Sequence, residues 1–246
     1  MKRILREREI LAKLSTEGGF VSTEELCRAL FVSESSIRRD LSALEERGLI
    51  KRVYGGCEAV RNHSGAIAFS GRASANVEAK RQIGKRAARL IKDGSVIFLD
   101  QSSTAYYLAE EIKDNATLTV VTNNLPILNL LSDSRMRVLS SGGYLCEGNR
   151  TCLVGSDAER TFEGIHADLC FFSTGSVDED GVISDSDPIE VSVRRSMLEN
   201  AAVRVYLCDN SKLHRRSAFK QTRLCEIDLV ICDDDEILSF DGAKVK

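Results

Sequence analysis

The stretch VSTEELCRALFVSESSIRRDLSALEERGLIKRVYGG, residues 21–56, carries two short helical periods separated by a break at Phe31-Val32. Ser22 followed by Glu25 is a capping-box pair, so a helix is expected to begin at Ser22 or Thr23 and to bury Leu26, Ala29 and Leu30. Ser33 is placed to cap the next helix, whose apolar face is Ile37, Leu41 and Leu44 and which Gly48 ends. Helix, tight turn, helix is the arrangement that offers its second member to a DNA major groove. The start of that helix carries Ser33, Glu34, Ser35, Ser36, Arg38 and Arg39. The N-terminal part of a recognition helix reaches base edges, where Arg can pair two donors with guanine or clamp a phosphate and serine offers a short hydroxyl. Leu49–Gly56 then suits a short hairpin, a wing carrying Lys51 and Arg52. Upstream, a helix over about residues 3–15 places Ile4, Leu5, Ile10, Leu11 and Leu14 on one face and ends at Gly18-Gly19. From pattern alone a charged helical interaction module is the alternative, since such shapes also occur without DNA.

Beyond Cys57 the periodicity stops. Residues 58–76 are rich in Ser, Gly, Asn and Ala and suit a linker, with an extended segment near Ala66–Phe69. The expected domains are therefore a winged helix-turn-helix over 1–57 and an effector domain over 77–246. A helix starts near Asn76, with Ile83, Ala87, Leu90 and Ile91 as its apolar face. Strands are expected at Ser95–Leu99, Leu118–Thr122, Arg137–Ser140, Leu169–Ser173, Arg204–Cys208 and Leu229–Cys232. Helices lie between them at 103–113, 124–132, 157–163 and 189–201, and a hairpin interrupts at 144–154. The alternation predicts an α/β domain with a mainly parallel, Rossmann-like sheet covered on both faces.

Such sheets bind ligands beyond the carboxyl ends of their strands. The strands here end in Asp100-Gln101-Ser102-Ser103-Thr104, Thr122-Asn123-Asn124, Ser140-Ser141-Gly142-Gly143, Ser173-Thr174-Gly175-Ser176 and Asp209-Asn210-Ser211-Lys212. Helix N-termini bind phosphate through backbone N–H groups, and Lys212 adds a cation. Each motif alone is also an ordinary helix cap; five together point to a polar cleft.

The first stretch closely resembles the DeoR-type helix-turn-helix signature, with Ser36 at the family's Thr, Tyr54 at its His and Cys57 at its Ala. DQSSTAYYLAEEI (100–112), LTVVTNNLPI (118–127), Gly142-Gly143, LVG (153–155), DGVIS (180–184) and DNSKL (209–213) resemble the DeoR-type sensor domain in order and spacing. Phe69 and Arg72 also match residues common in the family. The resemblance covers nearly the whole chain. It implies a winged helix-turn-helix followed by a sensor domain of the ribose-5-phosphate isomerase/CoA-transferase kind. It also implies a regulator, by default a repressor of sugar-metabolism genes, that responds to a phosphorylated sugar. The implied DNA-facing residues are Ser22, Thr23, Ser33, Ser35, Ser36, Arg38, Arg39, Lys51 and Arg52. The implied effector pocket holds Asp100, Ser102, Ser103, Thr104, Thr122, Asn123, Asn124, Gly142, Gly143, Lys212 and Arg194. The expected partners are double-stranded operator DNA, a sugar-phosphate effector and further copies of the chain in a homodimer or homotetramer. Three departures stand out. Ser102 replaces a glycine where backbone approaches the ligand, Ser173–Val177 replaces a GAxG segment, and Arg194 stands where relatives have Lys.

Composition agrees with this frame. The chain has 246 residues, 43% of them hydrophobic, enough for a small and a medium domain. Its formal charge is −3, so any DNA affinity must come from local placement. No apolar stretch approaches a membrane span, and the N-terminus lacks a signal-peptide pattern, so a cytosolic location is expected. The eight cysteines form no CxxC pair, so neither a metal site nor a cofactor is expected and the thiols are taken as structural. Cys27 and Cys57 have the more polar neighbours. An isomerase-like enzyme with a DNA-binding appendage is a second hypothesis. It needs a carboxylate base at a strand end, whereas Asp178, Glu179 and Asp180 of STGSVDEDG suit a solvated turn. A protein-interaction module without a small ligand is the third.

Overall fold

The computed structural model describes residues 3–16, 20–46, 50–59 and 69–233. The chain divides into two compact units, Met1–Val77 and Glu78–Lys246.

In the first unit α1 (Arg3–Thr16) is followed by β1 (Phe20–Ser22), α2 (Thr23–Leu30), α3 (Glu34–Glu46), β2 (Ile50–Val53), β3 (Gly56–Ala59) and α4 (Phe69–Ser74). Apolar residues spaced three and four apart, namely Ile10 and Leu14 of α1 and Ile37, Leu41 and Leu44 of α3, meet Val21, Leu26, Ile50 and Cys57 in one core. Ala29 of α2, expected to be buried, is exposed. The wing exists and gains a third strand: β3 pairs antiparallel with both β2 and β1. Gly56 permits this, because a Cβ there would lie 2.3 Å from the Val21 carbonyl oxygen. Phe69 opens a helix, α4, which packs on α1, so the expected extended segment does not reach it. Ala66, the stop signals Gly18-Gly19 and Gly48, Leu49 and the side chains of Ile4 and Leu5 lie outside the described residues.

The second unit begins with α5 (Val77–Ala88), which ends before Leu90 and Ile91; both are half-buried beyond it. Then come β4 (Val96–Leu99), α6 (Ser103–Ile112), β5 (Thr119–Thr122), α7 (Leu125–Leu130) and β6 (Arg137–Ser140). After the β7 (Tyr144–Leu145) and β8 (Leu153–Val154) hairpin follow α8 (Ser156–Glu163), β9 (Ala167–Phe172), β10 (Ser176–Val177) and β11 (Val182–Asp185). The last elements are α9 (Pro188–Glu199), β12 (Ala201–Cys208), β13 (Phe219–Arg223) and β14 (Leu229–Cys232).

Six strands form a parallel sheet in the order β14-β12-β9-β4-β5-β6. Alternate strand residues go to opposite faces. Ile97 and Leu99 join a core with α5, α6 and α7, whereas Phe98 joins one with α8 and α9. The chain winds outward from β4 toward β6 and, from β9, toward β14. The order reverses between β4 and β9, and that is where a crevice opens at the carboxyl edge of a doubly wound sheet. A second antiparallel sheet, β10-β11-β13, was not expected from the sequence. No helix among the described residues is long and apolar enough to cross a membrane.

Candidate DNA interface and effector site

The helix expected to read DNA is α3. Ser33 precedes it and its carbonyl accepts the N–H groups of Ser36 and Ile37. The Ser33 hydroxyl lies 3.1 Å from that of Ser35 and 3.0 Å from that of Ser36, so the three form one hydroxyl cluster at the helix start. Ile37, Leu41 and Leu44 face the core, which turns Arg38 and Arg39 outward. Asp40, 1% exposed, accepts from Arg6 Nε at 2.7 Å and NH2 at 3.2 Å, a two-point pair that fixes α3 against α1. That hydrogen bond raises the Arg6 pKa.

Arg38 is 65% exposed and pairs with Glu34 one turn earlier at 2.6 Å. Arg39 Nε donates to the Ser35 carbonyl at 3.3 Å. On the wing, the Arg52 N–H donates to Glu45 at 2.8 Å and its guanidinium to the Ser42 hydroxyl at 2.9 Å, which ties the wing to α3; Lys51 is exposed. Ser22 is the N-cap of α2. Its hydroxyl accepts the Glu25 N–H at 3.1 Å while its own N–H donates to the Glu25 carboxylate at 3.0 Å. The Ser22 hydroxyl, which donates to the Glu25 carboxylate at 2.7 Å, and the Ser22 N–H lower the Glu25 pKa. The Thr23 N–H donates to the Gly55 carbonyl at 2.8 Å, joining α2 to the wing turn. Thr23, Arg38, Arg52 and Tyr54 line a groove of about 740 Å³ between α2, α3 and the wing. Two aromatics of this unit are exposed, Tyr54 at 105% in the groove lining and Phe31 at 93% at the C-terminal end of α2.

In the second unit the strand-end motifs converge at the β4/β9 reversal. Asp100 is fully buried. Its carboxylate accepts the Ser102 N–H at 3.1 Å, the Ser173 N–H at 3.1 Å and Arg194 Nε at 3.0 Å. Arg194 is 1% exposed and also meets Asp185 at 3.1 Å and the Gln221 side-chain oxygen at 3.1 Å. Burial by itself lowers the Arg194 pKa, but Asp185, Asp100 and Glu190 outweigh it and the guanidinium stays charged. The cation at this position therefore holds the strand-end loops together. The partner Asp185 lies on β11 of the unexpected sheet.

Ser102 caps α6, its hydroxyl accepting the Ala105 N–H at 3.0 Å. Asn124 caps α7 and donates to the carbonyls of Asp100 and Ser102, both at 3.2 Å. Thr122 donates to the Leu99 carbonyl at 2.6 Å. Asn123 donates to the Leu153 carbonyl at 3.0 Å, and its side-chain oxygen, fully buried, has no hydrogen-bond partner among the described residues. Lys212 Nζ reaches the Ser173 hydroxyl, the Thr104 hydroxyl at 3.4 Å and Asp209 at 3.3 Å. One ammonium thus touches residues from the ends of β4, β9 and β12; Ser103 and Thr104 are buried beside it. Gly142 and Gly143 take φ values of +67° and +93° after β6, and a Cβ on Gly143 would lie 2.3 Å from the Val154 carbonyl oxygen. Of the acidic run, Asp178 accepts the N–H groups of Asp180 and Val182 in the turn before β11, and Glu179 and Asp180 are exposed.

The chain matches two known domains end to end: residues 6–66 the DeoR-like helix-turn-helix domain, and residues 75–234 the DeoR C terminal sensor domain. It belongs to the DeoR family. Relatives of this family member include the HTH-type transcriptional regulator GolR of Listeria innocua, 36% identical over 87% of this chain and 84% of that protein. Another is the HTH-type transcriptional repressor GlcR of Bacillus subtilis, 33% identical over 87% of this chain and 82% of that one. Ribose 5-phosphate isomerase A from Methanocaldococcus jannaschii overlaps with a TM-score of 0.43 at 20% identity, over 56% of this chain and 55% of that one. As a DeoR-family member the chain is a DNA-binding transcription regulator with a small-molecule sensor domain.

Proposed function

We propose that the protein represses genes of sugar metabolism by binding operator DNA as a dimer or tetramer, and that a phosphorylated sugar in the second unit controls that binding. The observation that carries the effector reading is the position of Lys212 Nζ against Thr104 and Ser173 where the strand order reverses. A phosphate there meets a cation, hydroxyls and the start of α6. The unpartnered Asn123 oxygen offers an acceptor to a sugar hydroxyl. Asp100 and Arg194 hold the loops, while Ser103, Thr104, Lys212, Asn123 and the Gly142-Gly143 turn touch the effector. For repression, the support is the name of the relative GlcR.

On DNA, Arg38 and Arg39 make the contacts that matter most, with Ser33, Ser35 and Ser36 at the helix start and Lys51 and Arg52 on flanking phosphates. Ser22 and Thr23 act through the α2 N-terminus. Paired recognition helices read half-sites about one helical turn or a multiple apart. The effector must favour one arrangement of the assembly over another to change DNA affinity.

The test selects duplexes from a randomised pool, then measures their affinity with and without a panel of phosphorylated sugars and the unphosphorylated parents. One phosphorylated sugar should change affinity and, at ~100 times its dissociation constant, stabilise the protein by about 2.7 kcal/mol. Stabilisation only by an unphosphorylated sugar would overturn the phosphate reading. A reporter that falls silent when a selected site sits beside its promoter supports repression; induction overturns it.

A further inference from the structure

The hairpin and α9 bring together a group of side chains that neither the DNA face nor the effector cleft uses. Cys146 and Cys152 face each other across the hairpin, the Cys146 N–H donating to the Cys152 carbonyl at 3.1 Å. Their sulfurs and a Glu190 carboxylate oxygen all lie within 4.8 Å of one another, and all three residues are buried. Asp187, which caps α9, adds an oxygen 3.6 Å from Cys146 Sγ. Each thiol thus sits against a carboxylate, because Cys152 Sγ lies 3.7 Å from Glu190.

We propose that Cys146, Cys152 and Glu190 bind a zinc-class divalent cation, with Asp187 beside Cys146 at the edge of the site. As protonated thiols the two cysteines donate to these carboxylates; a dication that replaces the two thiol protons offsets the charge of the thiolates and carboxylates by binding them directly. Mixed sulfur and carboxylate donors suit a borderline-soft ion such as zinc, whereas calcium and magnesium take oxygen-only sets. The surrounding residues already orient the ligands. Asn149 donates to one Glu190 oxygen at 2.8 Å and Gln101 to the other at 3.1 Å, as outer-shell groups commonly do around a metal. This site does not depend on the effector reading. It also revises the expectation from sequence: the two cysteines are paired by the hairpin register, which the absence of a CxxC spacing could not reveal.

Full-length protein, reduced and stripped of metal with a chelator, is titrated with cobalt(II) and then with zinc(II). A thiolate-to-cobalt charge-transfer band should saturate at one ion per chain and disappear as zinc replaces cobalt. Zinc binding should release about two protons. Cys146→Ser and Cys152→Ser should each cut the band to about half or less and the double variant should abolish it, whereas Cys225→Ser, at an exposed cysteine, keeps it whole. Glu190→Gln should keep a band but weaken binding at least tenfold, which serves if a serine variant fails to fold. No band at one equivalent, an unchanged band in both serine variants, or two thiols that join under mild oxidation while binding no metal would each overturn the proposal.

Discussion

Replacing Asp100 by Ala should destabilise the sensor unit severely. The carboxylate is fully buried and accepts three bonds: the Ser102 and Ser173 N–H groups, each at 3.1 Å, and Arg194 Nε at 3.0 Å. Its loss leaves Arg194, 1% exposed, with Asp185 as its sole remaining carboxylate among the ion pairs drawn above. Removing one partner of a buried pair costs about 3–5 kcal/mol, because the surviving charge stays desolvated. For a unit of this size each kcal/mol lowers the melting temperature by about 2–4 °C, so the fall should be roughly 6–20 °C. Scanning calorimetry of the full chain measures it in the transition of larger enthalpy, which belongs to the larger unit. Asp100→Asn, which keeps one acceptor oxygen, should lose less. A loss below about 1 kcal/mol in Asp100→Ala would refute the assignment of Asp100 as the residue that locks the loops, and would return it to the effector.

Three further outcomes follow from described contacts. Arg38→Ala and Arg39→Ala should each weaken operator binding by about 1–3 kcal/mol if they read a base, or lower the salt slope by about one if they hold a phosphate, as measured by anisotropy against salt; unchanged affinity in both removes α3 from the interface. Lys212→Met should reduce effector affinity at least tenfold and leave operator affinity intact; equal losses of both would show that Lys212 maintains the fold instead. Burial pushes the Cys57 thiol from 9.0 up to about 12. At pH 9 on the order of one molecule in a thousand carries the reactive thiolate, so a thiol reagent should modify exposed Cys225 and spare Cys57 until pH rises toward 12; rapid labelling of Cys57 at pH 9 contradicts the buried wing.

The sequence made the helices of the first unit and the six parallel strands legible because their periods are long or their apolar runs continuous. β1 was invisible: Phe20–Ser22 is three residues long, too short for an alternation, and exists because Gly56 lets the chains approach. β11 and β13 pair through long-range register, which no local pattern encodes, and β10, two residues long, meets β11 in a hairpin too short to show an alternation. At the candidate site, the strand ends announced Lys212 and the caps Ser102 and Asn124. The division of labour between them was hidden. Arg194, which the family resemblance implies as a pocket cation, is also paired to Asp100 and to Asp185 from a strand no local pattern shows. Cys57 had polar sequence neighbours but lies in the core, because the wing turns its side chain inward. Glu190 carries no sequence signal beyond its place in the first turn of α9.

The pairing of Arg38 with Glu34 has a bearing on how such a protein finds its site. Before it meets any duplex, the leading arginine of α3 is already answered by a carboxylate one turn away. The DNA contact proposed for Arg38 would therefore exchange one anion for another. A stray phosphate must displace Glu34 and also tolerate its negative charge nearby, and so gains little. A guanine edge, which offers two uncharged acceptors in a fixed geometry, escapes the repulsion that a phosphate feels. In a chain with a formal charge of −3, an exposed pair of this kind is worth about 0.3–0.5 kcal/mol, so on the proposed contact of Arg38 with DNA it would set a small bias toward base edges over phosphates.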